Sequence, residues 1–277
     1  MHILVTSASG ANGNGYGAIL GFGPDGEFTG PFSGDPRIAD PRGMALDPSG
    51  EFVYLNSGDD RILALDLQGN VVRDSGRIRG LDPGGGEFGP DGRYCVTMRR
   101  QRAILAMPAA LDGEGEFLLP EGIVPFPRGF GFGPDGQIYL SSAVAPSGQG
   151  DNTIVVFDRS GTLRTPHLVT DPELSPLDLK LAPNGNIVVA SERPFGAADA
   201  VTSVREYNPV TGQLVRVLAP GRSVGFRRPR GLRFGPDDRL YCVGEDHVVA
   251  FDFRTGSFAG PVVQLTRLNG QALVLLP

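Results

Sequence analysis

The sequence has no tryptophan, two cysteines, three histidines and a single lysine among 277 residues. Two cysteines cannot build a disulfide scaffold, and with three histidines they cannot supply an ordinary zinc framework. No apolar stretch reaches the ~18 residues of a membrane-crossing helix. The opening run Met1-His2-Ile3-Leu4-Val5 is too short for the apolar region of a signal peptide, so a cytoplasmic protein is expected. The net charge of −6 argues against nucleic acid as a partner. All basic residues except Lys180 are arginine, a bias of the kind GC-rich bacterial coding produces. What the chain does have is glycine (41) and proline (24), spread along its whole length between short apolar runs. Residues placed that way read as turns, and a hydrophobic content of 40% suffices for a sizeable core.

One phrase recurs. It appears as Pro41-Arg42-Gly43-Met44-Ala45-Leu46-Asp47-Pro48-Ser49-Gly50, as Pro127-Arg128-Gly129-Phe130-Gly131-Phe132-Gly133-Pro134-Asp135-Gly136, and as Pro229-Arg230-Gly231-Leu232-Arg233-Phe234-Gly235-Pro236-Asp237-Asp238. Weaker copies begin at Pro83 and Pro176, and a sixth, Gly270 to Pro277, is cut short by the chain end. Each copy is a short apolar strand, a Pro-Asp-Gly type turn and a second strand rich in β-branched and aromatic residues, such as Val53-Tyr54-Leu55 or Ile138-Tyr139-Leu140. Turn chemistry and strand propensity agree on a β-hairpin. A third strand follows (62–66, 154–158, 248–252), then a weaker fourth (70–72, 213–215). Four antiparallel strands per repeat are the unit of a propeller blade.

The residue after the arginine position gives the markers Gly43, Gly85, Gly129, Asp178, Gly231 and Ala272. They lie 42, 44, 49, 53 and 41 residues apart, and the wrap from Ala272 round to Gly43 takes the remaining 48. Six blades therefore use the whole chain as one all-β domain, 1–277. Their approximate spans are 271–277 plus 1–32, 41–77, 83–120, 127–169, 176–218 and 229–266. The C-terminal strand lacks a second strand and the N-terminal strand lacks a first. Pairing the two completes a mixed blade and removes the edges an open ring would leave.

The repeat resembles the NHL repeat, whose blades begin Pro-x-Gly and run through a Gly turn into an Ile-Tyr-Val-like strand. Residues 40–72 carry this best, including Ser57-Gly58-Asp59-Asp60-Arg61-Ile62-Leu63-Ala64-Leu65-Asp66. The whole chain is similar to the six-bladed NHL and SMP-30/gluconolactonase-like propellers. That resemblance implies the fold; one architecture hosts many functions, so the site must be argued separately.

With strand one innermost, the ends of second strands and the starts of first strands share one mouth of the central channel. Three of the loops there are long: 7–17, 141–153 and 191–203. The opposite face carries minimal turns, so the looped mouth is the expected working face. Arg42, Arg128 and Arg230 begin first strands on alternate blades and are expected to ring it. Asn56, Ser141, Ser142, Glu192, Glu245 and Asp246 end second strands nearby or follow them, and Asp178 opens the fifth blade. Converging guanidiniums favour a carboxylate or phosphate ligand, because each offers bidentate donors. The competing reading pairs the same arginines with Glu192, Glu245 or Asp178 to tie blades together. The glycine-rich run Gly10 to Gly17 reads as a lid, with Tyr16 as its stacking residue, and Arg99-Arg100-Gln101-Arg102 as a basic spot on the third blade.

The resemblance also implies a second function, a lactonase, hydrolase or lyase using one divalent cation at the same mouth. SMP-30-type enzymes hold that cation with Glu, Asn and Asp, the first from an early Glu-containing motif. Here no acidic residue precedes Asp25, and the expected first-strand Asn is replaced by Arg128 or Leu177. A hard cation such as calcium or magnesium would have Asp178, Glu192, Glu245, Asp246 and Asn56 to choose from. Glu192, Glu245 and His247 are the candidate catalytic groups, His247 as a general base beside two carboxylates. Cys95 and Cys242 occupy the same strand-two position on opposite blades, too far apart for a disulfide, and are expected to be buried and reduced. The expectation is thus a monomeric propeller that binds a small anionic molecule or peptide at its looped mouth.

Overall fold

The computed structural model describes residues 1–9, 15–145, 147–193, 200–220 and 224–277. It has twenty-four strands in six four-stranded antiparallel sheets. The first blade contains β1 (His2–Ser7), β2 (Ala18–Phe22) and β3 (Phe28–Pro31), and the second β4 (Met44–Leu46), β5 (Phe52–Ser57), β6 (Arg61–Asp66) and β7 (Val71–Asp74). The third is β8 (Pro83–Phe88), β9 (Tyr94–Met98), β10 (Ala103–Met107) and β11 (Glu116–Leu119). The fourth is β12 (Pro127–Phe132), β13 (Ile138–Ser142), β14 (Thr153–Phe157) and β15 (Leu163–Thr165). The fifth is β16 (Pro176–Leu181), β17 (Ile187–Arg193), β18 (Val201–Tyr207) and β19 (Leu214–Leu218). The sixth is β20 (Gly231–Phe234), β21 (Arg239–Val243), β22 (His247–Asp252) and β23 (Ser257–Gln264), and β24 (Gly270–Leu276) returns to the first blade.

Ring closure is as the sequence predicts. β24 pairs antiparallel with β1, from His2 opposite Leu276 to Thr6 opposite Ala272, and stands innermost in the order β24-β1-β2-β3. The Thr6 hydroxyl adds a bond to the Arg42 carbonyl at 2.6 Å, tying the closing blade to the second.

The core is divided among six interfaces between neighbouring blades. Strand alternation sends successive side chains to opposite faces of each sheet. Val53 and Leu55 of β5 therefore pack against the first blade with Leu4 and Val274, while Tyr54 between them packs against Tyr94 and Val96 of the third. Cys95 and Cys242 are both buried and free.

The Pro-Asp-Gly turns need a left-handed residue in fourth place. Gly92 (φ 79°) and Gly136 (φ 74°) supply it, and in the sixth blade Asp238 takes the same conformation at φ 59°. The glycine of the Pro-Arg-Gly phrase answers a different need. A Cβ on Gly129 would fall 2.0 Å from Asp178 Oδ1 and 2.6 Å from Asp178 Cα, so the inner strands of the fourth and fifth blades approach this closely because Gly129 carries no side chain. This is the physical reason the arginine is followed by glycine.

Candidate anion-binding channel mouth

Aligning the inner strands by register puts Arg42, Gly84, Arg128, Leu177, Arg230 and Gln271 in one ring at the start of strand one. All six line a central cavity of about 90 Å³, together with Arg99, Asp178, Lys180 and Arg233. The arginines are fixed from the backbone outward: the Arg42 N–H donates to the Asn56 carbonyl at 2.9 Å and the Arg230 N–H to the Val243 carbonyl at 2.8 Å. The three arginines predicted to converge therefore do so.

Their electrostatics show the convergence. Burial and then the charge of Arg230 pull Arg128 down to about 10. Burial also lowers Arg230, with the charges of Arg228 and Arg42 in the same direction and those of Glu192 and Glu245 opposing. The Arg128 guanidinium stacks on the Phe126 ring, 4.3 Å from its centroid, which helps to orient it. Arg42 Nη2 reaches Asp40 Oδ2 at 3.1 Å, while its buried Nε has no hydrogen-bond partner.

Two features of the mouth go beyond the sequence reading. Arg99, read as part of a basic spot on a solvated loop with contact to an anionic ligand or a protein as the alternative, lies over the third blade's gap in the ring. A Cβ on Gly84 would touch its Cγ at 3.4 Å, and its guanidinium bonds Asp82 at 2.5 Å. Deeper in the channel Glu87, Lys180 and Arg233 form a charged group from the third, fifth and sixth blades. Lys180 Nζ is 2.7 Å and Arg233 Nη1 3.5 Å from Glu87 Oε2. Burial acts to raise the Glu87 carboxyl, but Lys180 and Arg233 outweigh it and hold it at about 2. The signal was present in the repeats: the same rank holds Ala45, Gly131 and Val274 in the other blades, so charge there breaks an uncharged pattern.

The other predicted residues sit in varied roles. Asn56 is fully buried and engaged at both ends, donating to the Gly84 carbonyl at 3.0 Å and accepting from the Tyr94 hydroxyl at 2.9 Å. Asp178 Oδ2 accepts the Leu232 N–H at 2.8 Å, and its Oδ1 is 3.9 Å from Lys180. Glu192 accepts the Arg228 N–H at 2.7 Å and Glu245 bonds the Arg228 guanidinium at 2.9 Å. Asp246 accepts the Arg267 N–H at 2.7 Å. His247 opens β22, buried, and burial holds it below its ordinary value with Asp246 opposing. Tyr16 leans outward, 48% exposed, its ring 6.4 Å from Phe28 on the outermost strand, and does not line the cavity. Residues 10–14 of the predicted lid lie outside the described residues, as do 194–199 of the loop after β17 and position 146 of the loop after β13.

A divalent cation fits this donor set poorly. Asp178, Glu192, Glu245 and Asp246 are each held by a backbone N–H or by Arg228, and the mouth presents guanidiniums. Among the described residues no group of three or more His, Cys, Asp or Glu side chains is placed to hold a metal ion. None of the described residues forms a helix long and apolar enough to cross a membrane.

No family model and no curated protein matches the sequence. Solved structures match the fold. The propeller of a nidogen/laminin complex aligns over 100% of this chain and 98% of its own, with TM-score 0.75 and 16% identity. A gluconolactonase from Xanthomonas campestris aligns over 82% of this chain and 75% of its own (TM-score 0.63, 19% identity). A virginiamycin B lyase from Staphylococcus aureus, in complex with quinupristin, aligns over 77% and 67% (TM-score 0.55, 17% identity). The chain has the fold of the six-bladed NHL and gluconolactonase-like propellers. At these identities the likeness is one of fold.

Proposed function

We propose that this propeller binds a small anionic molecule, or the carboxylate of a peptide, at the arginine-lined mouth of its central channel. The observation that carries the reading is the shared cavity of Arg42, Arg99, Arg128 and Arg230, in which burial and neighbouring positive charge already weigh on Arg128 and Arg230. A bound anion relieves that repulsion and meets fork-shaped donors already held in place by Phe126 and by the ends of the second strands. The test is calorimetric titration with small carboxylates and phosphates of the wild type, Arg128→Gln and Arg230→Gln. Binding to the wild type that weakens tenfold or more in both variants supports the reading. Undiminished binding in both variants moves the site elsewhere.

Metal-assisted hydrolysis or elimination at the same mouth is the second reading, favoured by the fold shared with a gluconolactonase and a lyase. The engaged carboxylates and the cationic lining weigh against it, so no catalytic step is assigned to Glu192, Glu245 or His247.

A further inference from the structure

Resting on the anion-binding reading, we infer that the ligand is a small polycarboxylate, two or three carboxylates on one short skeleton, rather than a single carboxylate. The argument is one of directions. Arg42, Arg128 and Arg230 enter the cavity from the second, fourth and sixth blades, at about one-third of a turn from each other around the channel, and Arg99 covers the third-blade sector. A carboxylate presents its acceptor sites in one plane on two oxygens, so it serves one or two guanidiniums on the same side. Groups arriving from opposed sectors are engaged together only by anionic groups set apart on a common frame.

The remaining sectors agree. Leu177 and Gln271 fill the ring at the fifth and first blades, giving an uncharged flank against which a hydrocarbon skeleton can lie. Asp40 and Asp82 bond Arg42 and Arg99 from the linkers before the first strands, Asp40 lining an adjoining open pocket with Arg42 and Arg230, and Glu192 and Glu245 are engaged by Arg228. The cavity surface itself carries Arg42, Arg99, Arg128, Arg230, Lys180 and Arg233 against Asp178 alone. Glu87 marks the reach of a single carboxylate: it bridges Lys180 and Arg233, which come from the adjacent fifth and sixth blades. The mouth guanidiniums also share one field, since Arg230 feels Arg42 and Arg128 feels Arg230. Neutralising one therefore eases the others, and each added anionic group gains.

The experiment is a calorimetric series at constant ionic strength with acetate, glutarate, propane-1,2,3-tricarboxylate and tripolyphosphate. Wild type is compared with Arg42→Gln, Arg128→Gln and Arg99→Gln, the fold of each checked by circular dichroism. The expected result is a rise of about tenfold per added carboxylate, with the tricarboxylate's advantage over acetate reduced at least tenfold in each variant. Equal affinity for acetate, glutarate and the tricarboxylate overturns the polycarboxylate inference and leaves the anion-binding reading standing. Tight tripolyphosphate with the tricarboxylate no better than acetate also overturns it and assigns a polyphosphate. No binding by any of the four overturns both.

Discussion

Lys180 Nζ lies 2.7 Å from Glu87 Oε2, so the chain's one lysine reaches past the fourth blade to join the fifth to the third. The fourth blade has Gly131 at this rank, and Arg233 completes the group from the sixth, donating also to the Met44 carbonyl of the second at 2.5 Å. Four blades are thus tied across the channel axis by one carboxylate and two cations. In a ring whose apolar core is split into six separate interfaces, these contacts cross the channel between blades that are not neighbours.

Glu87→Gln removes the charge that two cations depend on. The folded carboxyl at about 2 lies below its ordinary 4.5, so its contribution is complete above pH 4.5 and is lost as pH falls towards 2. For this partly buried group the depressed carboxyl corresponds to about 3 kcal/mol at pH 7. The variant is expected to unfold at lower urea than wild type at neutral pH, the two curves converging as pH drops from 4.5 to 2. Asp35 and Asp158 are also held at about 2, so the wild type's own acid sensitivity is not diagnostic and the difference between the two proteins is what is read. Parallel loss of stability in both would show that Glu87 is not the linked group.

How much of this was legible depended on whether the deciding contact lay along the repeat or across it. Turn glycines such as Gly136, the strand alternation around Tyr54 and the phase of Arg42, Arg128 and Arg230 are properties of one blade copied round the ring. Aligning the copies therefore revealed the fold and the arginine ring together. The position of Arg99 over Gly84 depends on one side chain filling a neighbour's vacancy, and the Lys180–Glu87 bond on a channel narrow enough to cross. Neither has a spacing in the sequence. Tyr16 sits in the loop before β2, exposed, with its ring 6.4 Å from Phe28, and no strand periodicity reaches a loop residue.

Asn56 is a tie between blades by its geometry, and replacing it separates that role from ligand contact. Asn56→Leu leaves the Gly84 carbonyl and the buried Tyr94 hydroxyl without their partner, a loss of about 2–3 kcal/mol. Tyr94→Phe in the Asn56→Leu background should then cost much less than in wild type. A double-mutant cycle by urea denaturation measures the coupling, and additive losses would show that the two side chains act independently.

Asp238 holds a left-handed conformation where Gly50, Gly92, Gly136 and Gly185 stand in the equivalent turns. Asp238→Gly relieves that strain at some cost in unfolded-chain entropy, for a net gain of about 0.5–1 kcal/mol. The expected readout is a rise in melting temperature of about 1–4 °C. A fall would mean that the Asp238 side chain contributes more than its backbone costs.

Adding a divalent cation distinguishes the two functional readings at once. A micromolar site at millimolar metal would stabilise the fold by about 4 kcal/mol, an effect too large to miss in a thermal melt. With Asp178 on the Leu232 N–H, Glu192 and Glu245 turned to Arg228, and Asp246 on the Arg267 N–H, capturing calcium or magnesium requires breaking bonds beside a cluster of guanidiniums. Millimolar calcium, magnesium or manganese should therefore shift the melting temperature of EDTA-treated protein by less than a degree, while a tricarboxylate at the same ionic strength raises it by several. A specific rise with one cation, lost in Glu192→Gln, would reverse the order of the two readings and make lactones and esters the compounds to assay.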